Sequence, residues 1–418
     1  MQKHLLLRLL AVLLGFTLVA SACGDDDSDS GEAADSSSDS ADDSSDDSSD
    51  DSSDDSEDVV EATQDGDLLA AIQARGELNC GVSTVSIGFA VQDSDGIYQG
   101  FDADFCRATA AAILGDTDAL NIVGLTAAER FTAVQTGQVD LLHRNTTWTQ
   151  SRDSDVGMDF GPTTYFDGQQ LMARVGDGFS SGSSVADIDG AVVCTNAGTT
   201  TEKNIAEAAE LLGITITLNT FEDFDIVTQN DIEGACDVIT TDGSGLVGRK
   251  AEQQPADQEW VIFPGQPISK EPLGPTYGQN QSRFADAVNW TVFAMLIADE
   301  YGVNQSNVDD FVGADAELGR LLGGEGEVQS AMGLAPDAFY QVIKQVGSYS
   351  DLWERHLAPL GLTLEGTVND LWTNAGLTSP PPARRSRSPD AVAGPGEPAP
   401  GRRIDGGERR RLLIATRR

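Results

Sequence analysis

The sequence is poor in histidine, with three in 418 residues, at positions 4, 143 and 356. It contains no C-x-x-C pair, so neither spacing that zinc favours is present, and no metal or cofactor is expected. Basic residues are scarce, 26 Lys+Arg against 68 Asp+Glu. No basic stripe crosses the central part, which argues against a nucleic-acid partner. Beyond the first two dozen residues, no apolar run approaches the roughly 20 residues of a membrane-spanning helix. No G-x-G-x-x-G or G-K-[ST] follows a strand-like segment where dinucleotide or P-loop binding would need it.

Both ends carry signals of a different kind. Lys3 and Arg8 lead into the apolar run 9–19, which closes on Val19-Ala20-Ser21-Ala22-Cys23. That is a charged start, a short apolar stretch and small residues before a cleavage point, so 1–22 reads as a signal peptide. Cys23, directly behind the small residues, resembles a bacterial lipobox cysteine that becomes the lipidated first residue; an incidental Cys after an ordinary signal is the rival. Residues 24–58 are almost wholly Asp, Ser, Glu, Ala and Gly and hold 17 of the 68 acids. They cannot bury enough surface to offset ordering, so 23–58 is expected to be a disordered, self-repelling tether. Residues 385–418 are rich in Pro, Gly and Arg and read as a disordered basic tail. The formal charge of -42 therefore overstates the acidity of the folded part. About 320 residues remain, enough for two domains.

Export sets the reading of the cysteines. With Cys23 set aside, Cys80, Cys106, Cys194 and Cys236 form an even set in an oxidising compartment. Of the three pairings, Cys80–Cys106 with Cys194–Cys236 keeps each bridge inside one domain.

The hydrophobic pattern alternates. Helix is expected over 66–75, strand over 77–82, a Gly/Ser-rich loop over 83–88, helix from Gly100 to Leu114, strand over 120–125, helix over 127–135 and strand over 139–142. A second set repeats the order: strand 191–194, helix 200–212, strand 214–218, helix 222–232, strand 236–240. Such β-α-β alternation implies a parallel sheet in each set. Two crossings between the sets are expected, at 165–175 and 268–275. The long apolar helix 284–301 has no strands of its own and is assigned to the first set, as is a largely helical stretch, 328–377. The expected fold is α/β with two lobes, 59–167 plus 275–384 and 168–274. Each carries a parallel-rich sheet flanked by helices, with a hinge and a cleft between.

In open α/β sheets, ligands bind beyond the carboxyl ends of strands. Three strand ends draw attention. The loop 144–149 and Arg152 offer backbone, hydroxyls and a fork that can grip a carboxylate. Gly198-Thr199-Thr200-Thr201-Glu202 reads as a helix start, where unpaired N–H groups suit an anion. Asp242 follows a strand and can hold an ammonium group. Each alone also fits a structural salt bridge, a plain helix cap or a turn acid. Together they describe a site for an α-amino acid.

These same segments resemble the family 3 solute-binding proteins of polar amino acid ABC transporters, and among them the general L-amino-acid-binding branch. The resemblance rests on Gly100-Phe-Asp-Ala-Asp-Phe-Cys-Arg107, Leu125-Thr-Ala-Ala-Glu-Arg-Phe-Thr132, Arg144-Asn-Thr-Thr-Trp-Thr149 with Arg152-Asp153, Gly198-Thr-Thr-Thr-Glu202, Thr240-Thr-Asp242 and Ser269-Lys-Glu-Pro-Leu-Gly274. It implies a type II periplasmic-binding-protein fold that closes on its ligand. It also implies that Arg152, Thr147 and Thr200 hold a carboxylate, that Asp242 takes the ammonium, and that Asn145 lends backbone. Thr199, Arg130 and Ser86 complete the candidate set. Ser86 stands where many relatives carry an aromatic that stacks on the ligand. The branch also pairs its cysteines within lobes. The implied partners are a free amino acid, an ABC permease with its ATPase, and the membrane through a lipid anchor, with the protein monomeric on the extracytoplasmic face. The rival is an enzyme of the same fold, a dehydratase of an aromatic amino acid precursor, with His143 as the only histidine near the cleft. A sensor module is a weaker third reading, because no signalling domain follows.

Overall fold

A computed structural model describes residues 67–383 except 315 and 325–327. The expected signal peptide, Cys23, the acidic tether and the basic tail lie outside these residues.

The first lobe is built on a five-stranded mixed sheet in the order β5-β1-β6-β15-β7. Its strands are β1 (Leu78–Val82), β5 (Leu120–Gly124), β6 (Leu141–Leu142), β7 (Met158–Phe160) and β15 (Thr276–Gly278). β1 runs parallel to β5 and β6, while β15 is antiparallel to β6 and β7. Between β1 and the next helix the chain forms a small antiparallel sheet, β2 (Val85–Ser86), β3 (Ala90–Gln92) and β4 (Tyr98–Gln99), rather than a plain loop.

The second lobe repeats the plan in the order β11-β10-β12-β9-β13. Here β10 (Val192–Asn196) is parallel to β11 (Thr217–Phe221) and β12 (Val238–Asp242). β9 (Gln169–Arg174) pairs antiparallel with β12 and with β13 (Trp260–Phe263). The two crossings pair with each other: β8 (Tyr165–Asp167) is antiparallel to β14 (Glu271–Leu273). The connection between the lobes is therefore a hydrogen-bonded ribbon.

Helices follow the strands. In the first lobe these are α1 (Leu68–Arg75), α2 (Phe101–Leu114), α3 (Arg130–Gln135) and α4 (Gln150–Ser154); in the second, α5 (Thr200–Leu212), α6 (Phe224–Ile232) and α7 (Gly243–Gln253). α8 (Ser282–Glu300) returns to the first lobe. Its Phe284, Ala287, Val288, Thr291, Val292 and Met295 repeat at helical spacing and are buried. They join the first-lobe core around Phe101, Phe105, Tyr349 and Trp353. The aromatic rings there meet edge to face, Phe101 lying 5.0 Å from Phe105 and 5.7 Å from Tyr349. Cys80–Cys106 ties β1 to α2, and Cys194–Cys236 ties β10 to the turn before β12. Each bridge stays inside one lobe.

Several boundaries differ from expectation, each for a local reason. The strand expected over 214–218 is β11, Thr217–Phe221, because Gly213 ends α5 in a left-handed turn and Ile214 still donates back to Ala209 at 3.1 Å. The helix expected from 127 begins at Arg130. Asp242 ends β12 rather than following it, and α7, unforeseen, starts at the next residue. The stretch 328–377 is three short helices, α10 (Val328–Ala331), α11 (Ala338–Gln345) and α12 (Tyr349–His356), after α9 (Ala316–Leu321). Turns at Pro336, Gly361 and Gly366, and a 3-10 helix at Ala358–Leu360, break it up.

Candidate functional site

The ends of β1, β6, β10 and β12 converge on a cleft between the lobes that encloses a cavity of about 320 Å³, near the lower end of the usual range for small-molecule sites. Its walls include Ser86, Arg130, Asn145 and Thr147 from the first lobe and Thr199, Thr200 and Asp242 from the second. Seven of the eight residues singled out from sequence thus meet at one place.

The first-lobe wall is the loop after β6. Asn145 adopts a left-handed backbone, φ 33°, a conformation that Asn tolerates better than most residues. Its N–H donates to the Asp102 carboxylate at 2.7 Å. The Asn145 N–H is therefore already engaged, and its side chain faces Ser86, at 3.5 Å between Oδ1 and Oγ. Burial raises the Asp102 carboxyl to about 6, against the pull of the Asn145 N–H and Arg144. Next along, Thr147 bridges to Leu273, the Trp148 N–H donates to the Pro272 carbonyl at 2.9 Å, and the Gly274 N–H to the Thr146 carbonyl at 3.2 Å. The site loop is thereby stitched to the crossing ribbon.

Arg152 is the exception. It is buried beneath this loop, with Nη1 donating to the Thr147 carbonyl at 2.8 Å, and it is not part of the cavity wall. Burial lowers it to about 10, opposed by Glu271 and Asp242, so it remains a cation. The arginines that do line the cavity are Arg130 and Arg144 from the first lobe and Arg249 from the second. From the sequence Arg144 is only the first residue of the loop 144–149. Its Nε donates to the Leu125 carbonyl at 2.9 Å, and Asp102 supports its charge.

The second-lobe wall is the N-terminus of α5. Thr199 caps it, its hydroxyl accepting the Glu202 N–H at 3.1 Å. The Glu202 carboxylate takes the Gly198 N–H at 2.7 Å, one residue short of a reciprocal capping box. Thr200 and Thr201 open the first turn, where a helix leaves its amides without an intrahelical partner. Gly198 has φ +73°, which is why glycine suits this turn; a Cβ there would make only an ordinary van der Waals contact, 3.5 Å from Ala128 of the opposite lobe. The Thr200 hydroxyl donates to Glu271 at 2.8 Å.

Asp242 is buried, and among the described residues its carboxylate accepts no hydrogen bond. Burial raises it well above the ordinary carboxylate range, with Asp167 and Glu271 adding repulsion and Arg130 and Arg152 opposing. Asp167 is itself held by the hydroxyl of Ser244 and the Gly168 N–H. At the far side of the cavity Arg249 of α7 reaches across the cleft to the Val85 carbonyl and pairs with Asp225 on its own lobe. No motif in the sequence pointed to this contact, because it forms only when two distant segments face each other.

His143 is not on the cavity. It stacks on Phe105 at 5.3 Å, and both ring nitrogens are buried without a partner among the described residues. Burial holds it down to about 3. An imidazole neutral at every ordinary pH and walled off from the cleft is a poor general base.

Over residues 78–321 the chain matches the family described as bacterial extracellular solute-binding proteins, family 3. It is 39% identical over 320 residues to the general L-amino acid-binding periplasmic protein AapJ of Rhizobium johnstonii, an alignment covering 76% of this chain and 92% of that one. It is 38% identical over 329 residues to the glutamate/glutamine/aspartate/asparagine-binding protein BztA of Rhodobacter capsulatus, covering 78% and 96%. Among solved structures, an ABC transporter periplasmic binding protein from Brucella ovis with glutathione bound superposes with a TM-score of 0.72 at 40% identity, covering 76% of this chain and all of that one.

Proposed function

Given that the chain belongs to the bacterial extracellular solute-binding proteins of family 3, we propose that it captures free L-amino acids outside the cytoplasm and presents them to an ABC permease. The observation that carries this reading is Asp242, a buried carboxylate on the cavity wall with no hydrogen bond from the described residues. A buried acid so placed needs a positive partner, and an α-ammonium group supplies one.

The ligand's α-carboxylate then lies against the hydroxyls of Thr147 and Thr200 and the first-turn amides of α5. Arg152 sits behind Thr147 as the cation of that end, and Asn145, Ser86, Thr199 and Arg130 shape the remaining wall. The site takes groups from both lobes, cut at 167/168 and 274/275, so binding favours closure. In this reading Cys23 carries lipid, and 24–58 is the tether that lets the receptor reach its permease as a monomer. The relatives named for amino-acid binding support it.

The test is thermal unfolding of the full chain against the twenty amino acids, one at a time. A ligand that binds only the folded state raises the midpoint by mass action. Shifts with several L-amino acids are expected; a flat response to all twenty discards the reading.

A further inference from the structure

The ribbon that joins the lobes is only two strands wide, β8 against β14, yet both of its outer edges are taken. Its central pair is Phe166 opposite Pro272. Proline has no N–H to give, and the free groups of both residues point outward, as in every second pair of an antiparallel ladder. On the β14 side the Pro272 carbonyl accepts the Trp148 N–H at 2.9 Å. On the β8 side Asn369 takes both groups of Phe166. Its Oδ1 accepts the N–H at 2.7 Å and its Nδ2 donates to the carbonyl at 3.1 Å. One carboxamide stands in for a third strand.

Asn369 lies beyond residue 321, where the match to the family ends. Its loop, 366–378, is built round Asp370, whose carboxylate accepts the N–H groups of Gly366 and Leu371 at 2.8 Å and the Asn374 side chain at 3.0 Å. The Thr378 hydroxyl donates to the Asp370 carbonyl at 2.7 Å, and Trp372 Nε1 donates to Glu300 of α8 at 2.6 Å. Asn369 is thus presented, buried, from a loop fastened to the first lobe. A second buried group of the C-terminal stretch, the Tyr349 hydroxyl, donates to the Thr164 carbonyl just ahead of β8 at 2.9 Å.

Both contacts fall on the first-lobe side of the crossing. Immediately beyond them the partners belong to the second lobe: the Ser244 hydroxyl donates to Asp167, and the Gly243 N–H to the Gly168 carbonyl at 2.9 Å. From this change of partners we infer that Asn369, seconded by Tyr349, is a positioning residue for lobe movement. It makes the strand up to Phe166 part of the rigid first lobe and confines bending on this strand to the step at Asp167–Gly168. An isolated two-stranded ribbon is a weak element, and a hinge works when a few residues absorb the change of angle. Through Pro272 and Trp148 the same array reaches the loop that carries Thr147, so the clamp also keeps that wall of the site in register with the hinge. The inference goes beyond amino-acid capture, and its test needs no ligand.

The experiment is single-molecule energy transfer on the ligand-free full chain. Dyes are coupled through non-natural side chains at the exposed Asp95 of the first lobe and Glu210 of the second, so that no cysteine is disturbed. Asn369→Ala is expected to make the distribution of lobe separations about twofold broader than in the wild type. Tyr349→Phe, which keeps the ring and removes the hydroxyl, should broaden it less. Asn374→Ala breaks a bond inside the loop without touching the ribbon; it should lower the Tm and leave the width alone. A wild-type width in folded Asn369→Ala overturns the inference, and where that variant does not fold, Tyr349→Phe decides by the same criterion. Equal broadening by Asn374→Ala also overturns it, since stability of the loop rather than its grip on Phe166 would then govern the hinge.

Discussion

The hydroxyls of Thr147 and Thr200 stand 3.5 Å apart although 53 residues and the crossing ribbon separate them along the chain. One ends the site loop of the first lobe and the other begins α5 of the second. Their meeting marks the line along which the lobes close, and the carboxylate end of the proposed ligand lies there. Glu271, in the ribbon itself, accepts from Thr200, Asn204 and Ser269 at 2.8, 2.9 and 2.6 Å. The hinge and the ligand end are parts of one hydrogen-bond network.

Arg152→Ala removes the cation behind Thr147 and the bond that holds its carbonyl. Losing a hydrogen bond made by a buried charged group costs about 1.5–3 kcal/mol, so amino-acid affinity should fall at least 10-fold. The far-UV circular dichroism spectrum should be unchanged. Wild-type affinity in the titration would remove Arg152 from the carboxylate role.

Arg249→Met keeps the apolar stem and removes the bond to the Val85 carbonyl across the cleft. The partner Asp225 is more than half exposed, so screening weakens that ion pair, and the interlobe bond is the larger loss. Affinity should drop about 10-fold, in line with about 1.5 kcal/mol for a hydrogen bond to a charged group. Small-angle scattering should show a larger radius of gyration at saturating ligand. An unaltered dissociation constant would show that Arg249 plays no part in closure.

Asp242 predicts a proton linkage. Its folded pKa is raised by burial and by the neighbouring Asp167 and Glu271, so below that pKa the empty site holds a neutral acid. The ligand ammonium favours the ionised form, and binding must release a proton. Affinity should therefore rise with pH until the empty site ionises unaided, and then level off. Titration in buffers of different ionisation enthalpy should detect proton release that fades over the same range. Proton uptake would exclude Asp242 as the ammonium partner.

Cys194 and Cys236 close a loop of 42 residues in the second lobe. By the chain-entropy estimate such a cross-link contributes about 2–4 kcal/mol. Cys194→Ser with Cys236→Ser should lower the apparent Tm by several degrees, measured without ligand. A bound amino acid should recover part of the loss, since the site residues are untouched. An unchanged midpoint would mean that the bridge adds no stability.

Much of this was legible along the chain, where neighbours in sequence decide the physics. The alternation of apolar periods marked the β-α-β units, and α5 occupies Thr200–Leu212 as the cap at Thr199 and the glycine at 213 require. Strand ends located the site, because side chains and free amides collect there in any open α/β sheet. Where boundaries slipped, as at β11, a helix-ending turn reused residues that read locally as strand.

The tertiary structure decided what depends on distance and on charge in a closed space. Sequence could nominate Arg130, Arg144 and Arg152 as cations near one loop. It could not say that Arg152 lies beneath the wall, that Asp102 answers Arg144, or that Arg130 makes no ion pair among the described residues. Nor could it show Arg249 meeting Val85, 164 residues away, or His143 facing Phe105 instead of the cleft. Periodicity and capping act within a few residues of chain. Burial and electrostatic balance act through space, and only the packed lobes set which groups share it.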